Sequence, residues 1–166
     1  VMFFHQVHIS QVKGWSLTAM APGYAAYAGA TIAVSFLSGW IVDRFGAQVL
    51  LPVVVLPMAV GITLLAPAQN VSTWFVVLGL LGVTTGMSAT LSGTLLPAVY
   101  GTDHLGSVRA VATALMVFST AIGPGVTGLV VDAGIDFPAQ GPVMGAWCLA
   151  LSLGMIPVMR RIGRLV

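Results

Sequence analysis

Four long stretches of the chain carry no charged residue: Gly14 to Val42, Phe45 to Thr102, Ala110 to Val131 and Phe137 to Met159. An apolar run of about 20 residues crosses a ~30 Å hydrocarbon core as a helix, so three of these stretches hold one span each. The second, 58 residues long, holds two, and Pro67-Ala68-Gln69-Asn70-Val71-Ser72 is the turn-forming cluster that divides it. The pattern predicts five full helices, at about 17–42, 48–66, 73–97, 109–131 and 141–159. Val1-Met2-Phe3-Phe4 runs apolar into His5-Gln6-Val7-His8 with no initiator Met and no basic leader, and it reads as the end of a sixth helix.

Polar residues are unevenly shared among these helices. In the first, Tyr24, Tyr27, Thr31, Ser35 and Ser38 recur at spacings of 3, 4, 4 and 3, which places them on one face. The third has Thr84, Ser88 and Ser92 in a similar row, with Thr85, Thr90 and Thr94 nearby, and the fourth has Thr113, Thr120 and Thr127 at heptad spacing beside Pro124. The second offers Thr63 as its only hydroxyl, and the fifth only Cys148 and Ser152. Two readings of the polar faces stand side by side. Small and hydroxylic residues let helix backbones approach in lipid, and Gly82 with Gly86, Ala89 with Gly93 and Gly141 with Gly145 have the small-xxx-small spacing. Alternatively the faces line a water-accessible cavity, and the bulky phenols of Tyr24 and Tyr27, which need partners for their hydroxyls, favour that second reading for themselves.

Composition confirms the solvent. Of 166 residues, 58% are apolar and 6% charged, and the mean hydropathy is +1.03; a soluble domain carries charge on roughly 25% of its positions. The lipid bilayer is therefore the expected partner. A net charge of +2 spread over so few charged residues does not indicate a nucleic-acid partner. One cysteine, Cys148, excludes an internal disulfide framework and a cysteine-based metal site, and neither a metal nor a cofactor is expected. With the loop containing Arg44 assigned to the cytoplasm, Arg109, Arg160, Arg161 and Arg164 fall inside too and only Lys13 falls outside, so the positive-inside rule puts the C-terminus in the cytoplasm of an integral, multi-pass protein, with the plasma (inner) membrane the expected location. Asn70-Val71-Ser72 is formally a glycosylation sequon, read as a chance match.

Several stretches carry a family resemblance. Gly39-Trp40-Ile41-Val42-Asp43-Arg44-Phe45-Gly46 resembles the G-x-x-x-D-R-x-G signature of the major facilitator superfamily, although Ala47-Gln48 stand where the family continues with basic residues. Gly123-Pro124-Gly125-Val126-Thr127-Gly128 resembles the glycine-proline kink of the family's fifth or eleventh helix, and Tyr100 to Arg109 the loop before the eleventh. The resemblance implies an all-α membrane protein, a polytopic helical bundle in which residues 1–166 are the C-terminal six-helix half of a twelve-helix transporter, truncated at its N-terminus. It implies a small-molecule substrate and, as partner, the missing N-terminal half. The two helices poor in polar residues are then the ones that the family places toward lipid.

The candidate substrate-binding residues are His5, Gln6, Tyr24, Tyr27, Thr31, Thr84, Ser88 and Thr120. His5 and His8 lie toward the outer end of the truncated helix, where a histidine binds an anion or carries a proton near neutral pH. Gly39, Asp43, Arg44 and Gly46 form a candidate gating motif, in which the carboxylate lies near a helix N-terminus and beside the arginine. Gly123, Pro124 and Gly128 are a candidate kink, because proline removes one backbone hydrogen bond; a merely tolerated membrane proline is the equal alternative, and Pro22, Pro52 and Pro57 raise the same question. No catalytic residue is expected. Gly86-Met87-Ser88-Ala89 is similar to the G-x-S stretch of an intramembrane serine protease, but no later helix supplies a histidine base within the membrane, and no Walker-type phosphate loop is present. The expected function is secondary active transport of a small solute by alternating access. The His-Gln helix end and Gly14-Trp15-Ser16 are similar to monocarboxylate-type carriers and point to an organic anion. A drug or neutral-metabolite exporter, and a channel-like or scaffold membrane protein, are the alternatives.

Overall fold

The computed structural model describes residues 1–163, and the predicted cytoplasmic Arg164 lies outside them. The described chain is helical: α1 (Gln6–Lys13), α2 (Leu17–Met20), α3 (Gly23–Phe45), a 3₁₀ turn (Ala47–Leu50), α4 (Leu56–Leu65), α5 (Ser72–Tyr100), α6 (Leu105–Asp132) and α7 (Phe137–Ile162). Four helical segments are long and apolar enough to cross a membrane, Leu17–Phe45, Ser72–Tyr100, Leu105–Asp132 and Phe137–Ile162, and Leu56–Leu65 is a shorter apolar helix. The expected helical membrane bundle is thus present. Its side chains are largely exposed, as apolar groups facing lipid need no protein cover.

Two predicted helices are interrupted. The first breaks at Ala21–Pro22, between α2 and α3. The second, expected over 48–66, is continuous only from Leu56 to Leu65. Pro52 has no N–H to return to the carbonyl four residues back, and Pro57, in the first turn of α4, has none to return to Val53, so Leu51–Val55 runs as turns and the regular helix starts only at Leu56. Backbone groups freed in lipid must find partners. The Met58 N–H donates to Thr84 Oγ1 of α5 at 3.0 Å, and the Ser152 hydroxyl of α7 donates to the Pro52 carbonyl. Two neighbouring helices therefore satisfy the break.

Close helix approaches occur where glycines pair. A Cβ at Gly86 would lie 2.6 Å from the Thr31 carbonyl, and one at Gly82 would meet the Tyr27 carbonyl, so α3 and α5 touch backbone to backbone. Gly141 meets the Ile62 carbonyl and Gly145 the Thr63 side chain, which seats α7 on α4 in the same way. Gly93, by contrast, has no heavy atom within 4 Å of the Cβ position. Two of the three small-xxx-small pairs are packing seams and the third is open.

One end of the bundle is tied by side chains. Lys13 Nζ donates to the carbonyls of Ala66 and Ala68 at 2.8 and 2.9 Å, closing the C-terminus of α4. Trp15 Nε1 donates to the Gln69 carbonyl at 3.2 Å. The fully buried side chains of Ile9, Leu65, Trp74 and Phe137 gather beneath these bonds. At the opposite end the 3₁₀ turn approaches the end of α7, with Gln48 Cγ 3.8 Å from the Cβ position of Gly163.

Candidate functional site

The residues singled out from the sequence fall into three places. At the tied end, α1 meets α3, α6 and α7. The Tyr24 hydroxyl donates to Gln6 Oε1, and the Tyr27 hydroxyl donates to Thr85 Oγ1 at 3.3 Å. Phe3 lies between the two tyrosines, stacked on Tyr24 at 5.8 Å between ring centroids and edge-on to Tyr27 at 5.4 Å. The His5 ring stacks on Phe137 at 5.0 Å, and its Nε2 sits 3.5 Å from Thr127 Oγ1. Gln6, Tyr24 and Tyr27 are therefore brought together around one aromatic ring, with His5 on the adjoining side toward α6 and α7.

The remaining candidates are dispersed. Thr31 Oγ1 donates within the α3–α5 seam, to the Tyr27 carbonyl at 2.8 Å and the Gly82 carbonyl at 3.3 Å. Thr84 is buried against α4, where its hydroxyl receives the Met58 N–H. Ser88 is half-buried. Thr120 is exposed on α6 and donates to the Val117 carbonyl at 2.7 Å. The eight residues do not line one enclosed pocket. For Thr31, Ser35, Thr85, Thr90 and Thr94 the hydroxyl is turned onto a backbone carbonyl of its own or the facing helix, which is the packing arrangement.

The Gly39 to Gly46 motif closes α3. Asp43 and Arg44 are both exposed, but the arginine is not ion-paired with the neighbouring aspartate. Its guanidinium carbon lies 5.8 Å from the Trp40 ring centroid and 5.7 Å from that of Phe45. The rings' negative faces attract the cation and leave Asp43 free at the helix end. Gly46 takes φ +85°, a region costly for any residue with a Cβ, and a Cβ there would also strike the Gln48 side-chain amide. Gly46 thus makes the turn that ends α3. Gly39 has nothing within 4 Å of its Cβ position, so no helix packs closely on it among the described residues.

The candidate kink lies inside a continuous α6. Pro124 does not end the helix, and the Thr127 hydroxyl donates to the carbonyls of Gly123 and Pro124, both at 3.0 Å. Gly123 faces Val1 Cγ2 at 3.0 Å from its Cβ position, and Gly128 faces nothing within 4 Å.

One polar junction was not foreseen. His8 Nε2 lies 3.3 Å from Asp136 Oδ1, the only ion pair among the described residues, and 3.4 Å from the Phe137 amide nitrogen, which donates to it. Both contacts use one ring nitrogen, so the first needs a proton on Nε2 and the second needs Nε2 bare. Asp136 stands just before α7, where a carboxylate complements the positive helix end. Gln140, one turn further on, donates to the Ile135 carbonyl at 2.9 Å. The sequence signal was an acid directly before an apolar helix; its partner on α1 had no signal, being more than 120 residues away. Among the described residues no group of histidine, cysteine and acid side chains could hold a metal ion.

Neither a curated protein nor a solved structure matches this chain. The model of one protein family, described as the Major Facilitator Superfamily, matches residues 1–162. Helical spans of membrane-crossing length, a D-R-x-G turn at Gly46 and a family match over nearly the whole chain agree, and the chain belongs to the Major Facilitator Superfamily of membrane transporters.

Proposed function

We infer that residues 1–166 are the C-terminal six-helix half of a secondary transporter that moves a small organic anion, such as a monocarboxylate, by alternating access. This half rocks against an N-terminal half around a site near the bilayer midplane. The observation that carries the reading is the placement of charge: the described acids Asp43, Asp103, Asp132 and Asp136 all stand at helix ends or in connections, so the spans offer no counter-charge to a cationic solute. Four arginines, Arg44, Arg109, Arg160 and Arg161, gather at one end, the cytoplasmic one by the positive-inside rule, which places the C-terminus inside.

In this reading His5, Gln6, Tyr24 and Tyr27 form the side of the substrate site contributed by this half. Ser88 and Thr120 extend it along α5 and α6, and Thr31 and Thr84 hold the helices that carry it. Asp43 and Arg44 gate the cytoplasmic side, and Gly123, Pro124 and Gly128 let α6 flex. The stacked Phe3, Tyr24 and Tyr27 rings favour a second reading, an exporter of drugs or neutral metabolites whose apolar cargo lies on those faces.

Counterflow of labelled organic acids in proteoliposomes holding both halves tests the choice. Saturable exchange of a monocarboxylate is expected. Absence of exchange for every carboxylate, with uptake of an apolar dye retained, would overturn the anion reading in favour of the exporter.

A further inference from the structure

The α5–α6 cleft contains an element the motifs did not mark. It has a volume of about 590 Å³ and is lined by Ser92, Gly93, Leu96, Arg109, Thr113 and Met116 among others. That volume falls within the range of small-ligand sites. Arg109 is its only charged lining residue. Among the described residues no carboxylate lies within 4 Å of Arg109, and the one ion pair is at the other end; Asp103 and His104 stand on the connection just before α6.

The hydroxyls lining this cleft differ from those in the seams. Where Thr31, Ser35, Thr85, Thr90 and Thr94 turn onto backbone carbonyls, Ser92 and Thr113 have no hydrogen-bond partner among the described residues and both are exposed. At a rise of about 1.5 Å per residue, Thr113 lies about 12 Å along α6 from Leu105 and Ser92 about 12 Å along α5 from Tyr100, so they stand at equal depth on the two walls. Arg109 lies about 6 Å in, between them and the mouth. Gly93 keeps the wall open, since nothing stands within 4 Å of its Cβ position. Ser88, one turn beyond Ser92, continues the α5 wall toward the middle of the span.

We propose that this cleft is a docking site for a small carboxylate, with Arg109 as its cation and Ser92 and Thr113 as hydroxyl donors. The proposal rests on the organic-anion reading above and adds to it a second station, near the mouth rather than at the aromatic cluster. A guanidinium presents paired N–H donors that match the two oxygens of a carboxylate, and two hydroxyls at equal depth complete the donor set. The oxyanion of an anionic lipid headgroup shares this chemistry, and the test separates the two.

Lactate is the probe, and saturation-transfer NMR on the protein with both halves present, in phosphatidylcholine nanodiscs, is the readout. Saturable lactate binding is expected, weakened about tenfold or more by Arg109→Gln, as for a hydrogen bond to a charged group. The pair Ser92→Ala and Thr113→Val weakens it by a smaller factor, and Arg160→Gln, outside the cleft, does not. Binding that persists when phosphatidylglycerol is added to the nanodiscs supports a solute as occupant. Unaltered binding in Arg109→Gln, equal loss in Arg160→Gln, no saturable binding, or displacement by phosphatidylglycerol each overturns the proposal. Counterflow by the two halves together distinguishes the two claims: carboxylate exchange indifferent to Arg109→Gln overturns the docking site alone, whereas lactate binding without any exchange overturns the transport reading alone.

Discussion

A missing side chain is what lets α3 and α5 meet. At Gly86 the position of a Cβ is 2.6 Å from the Thr31 carbonyl and 3.1 Å from the Ser35 nitrogen, and backbone cannot swing aside as a side chain can. Gly86→Ala is therefore expected to lower stability by about 1 to 3 kcal/mol, the usual cost of overfilling a packed contact. Gly79, on the same helix with nothing within 4 Å of its Cβ position, serves as the comparison, and Gly79→Ala is expected to be neutral or slightly stabilising. Thermal unfolding of both variants in the same detergent checks this; equal midpoints would refute the seam. The spacing of Gly82 and Gly86 revealed that some close approach existed. It could not reveal that Ala89 and Gly93 make none, because identical spacing serves an interface or an open wall according to how the helix is rotated.

Hydroxyls pose the same rotational problem along a whole helix. Thr84 and Thr85 are neighbours in sequence, yet the first serves the interrupted α4 and the second receives the Tyr27 hydroxyl on α3. Nothing in the pattern of polar positions assigns those faces. Where the pattern did succeed, the physics is one-sided: a charge inside hydrocarbon costs several kcal/mol, so charges mark helix ends whatever the packing. The predicted second helix shows the limit. Hydropathy over 48–66 is uniformly high, and only the backbone demands of Pro52 and Pro57 break it. Thr84→Val keeps the volume and removes the acceptor from the half-buried Met58 N–H, and a loss of about 1 to 3 kcal/mol is expected for a donor left without a partner where lipid offers none. Faster amide exchange at the start of α4, with α6 unchanged, is the accompanying signature. Unchanged exchange there would mean the break is not held from α5.

Over the molecule as a whole, two predictions concern orientation and gating. With Cys148→Ser as background, a cysteine at Ala133 is expected to react with a membrane-impermeant maleimide from outside intact cells, and one at Gly101 only after permeabilisation. The reverse pattern would invert the topology and place the four arginines outside. Asp43→Asn is expected to slow transport by the two halves while leaving membrane insertion unchanged. Because Arg44 rests on Trp40 and Phe45 rather than on Asp43, the carboxylate remains available to a positive helix end across the gate. An uptake rate equal to that of the unaltered protein would show that it plays no such part. The sequence motif located this turn correctly, and Gly46 with its φ of +85° explains the glycine. The partnership of the two charges was not legible, since aromatic faces compete for an arginine as well as acids do.

The interrupted segment between Gly46 and α4 has a consequence for how the helices can slide. Thr84 on α5 holds the Met58 N–H in the first turn of α4, where the interruption ends, and Ser152 on α7 holds the Pro52 carbonyl within it. Neither helix can shift along the membrane normal without breaking its own bond in a medium that offers no replacement. The flaw in the second span therefore acts as a depth gauge, fixing the heights of α5 and α7 relative to each other.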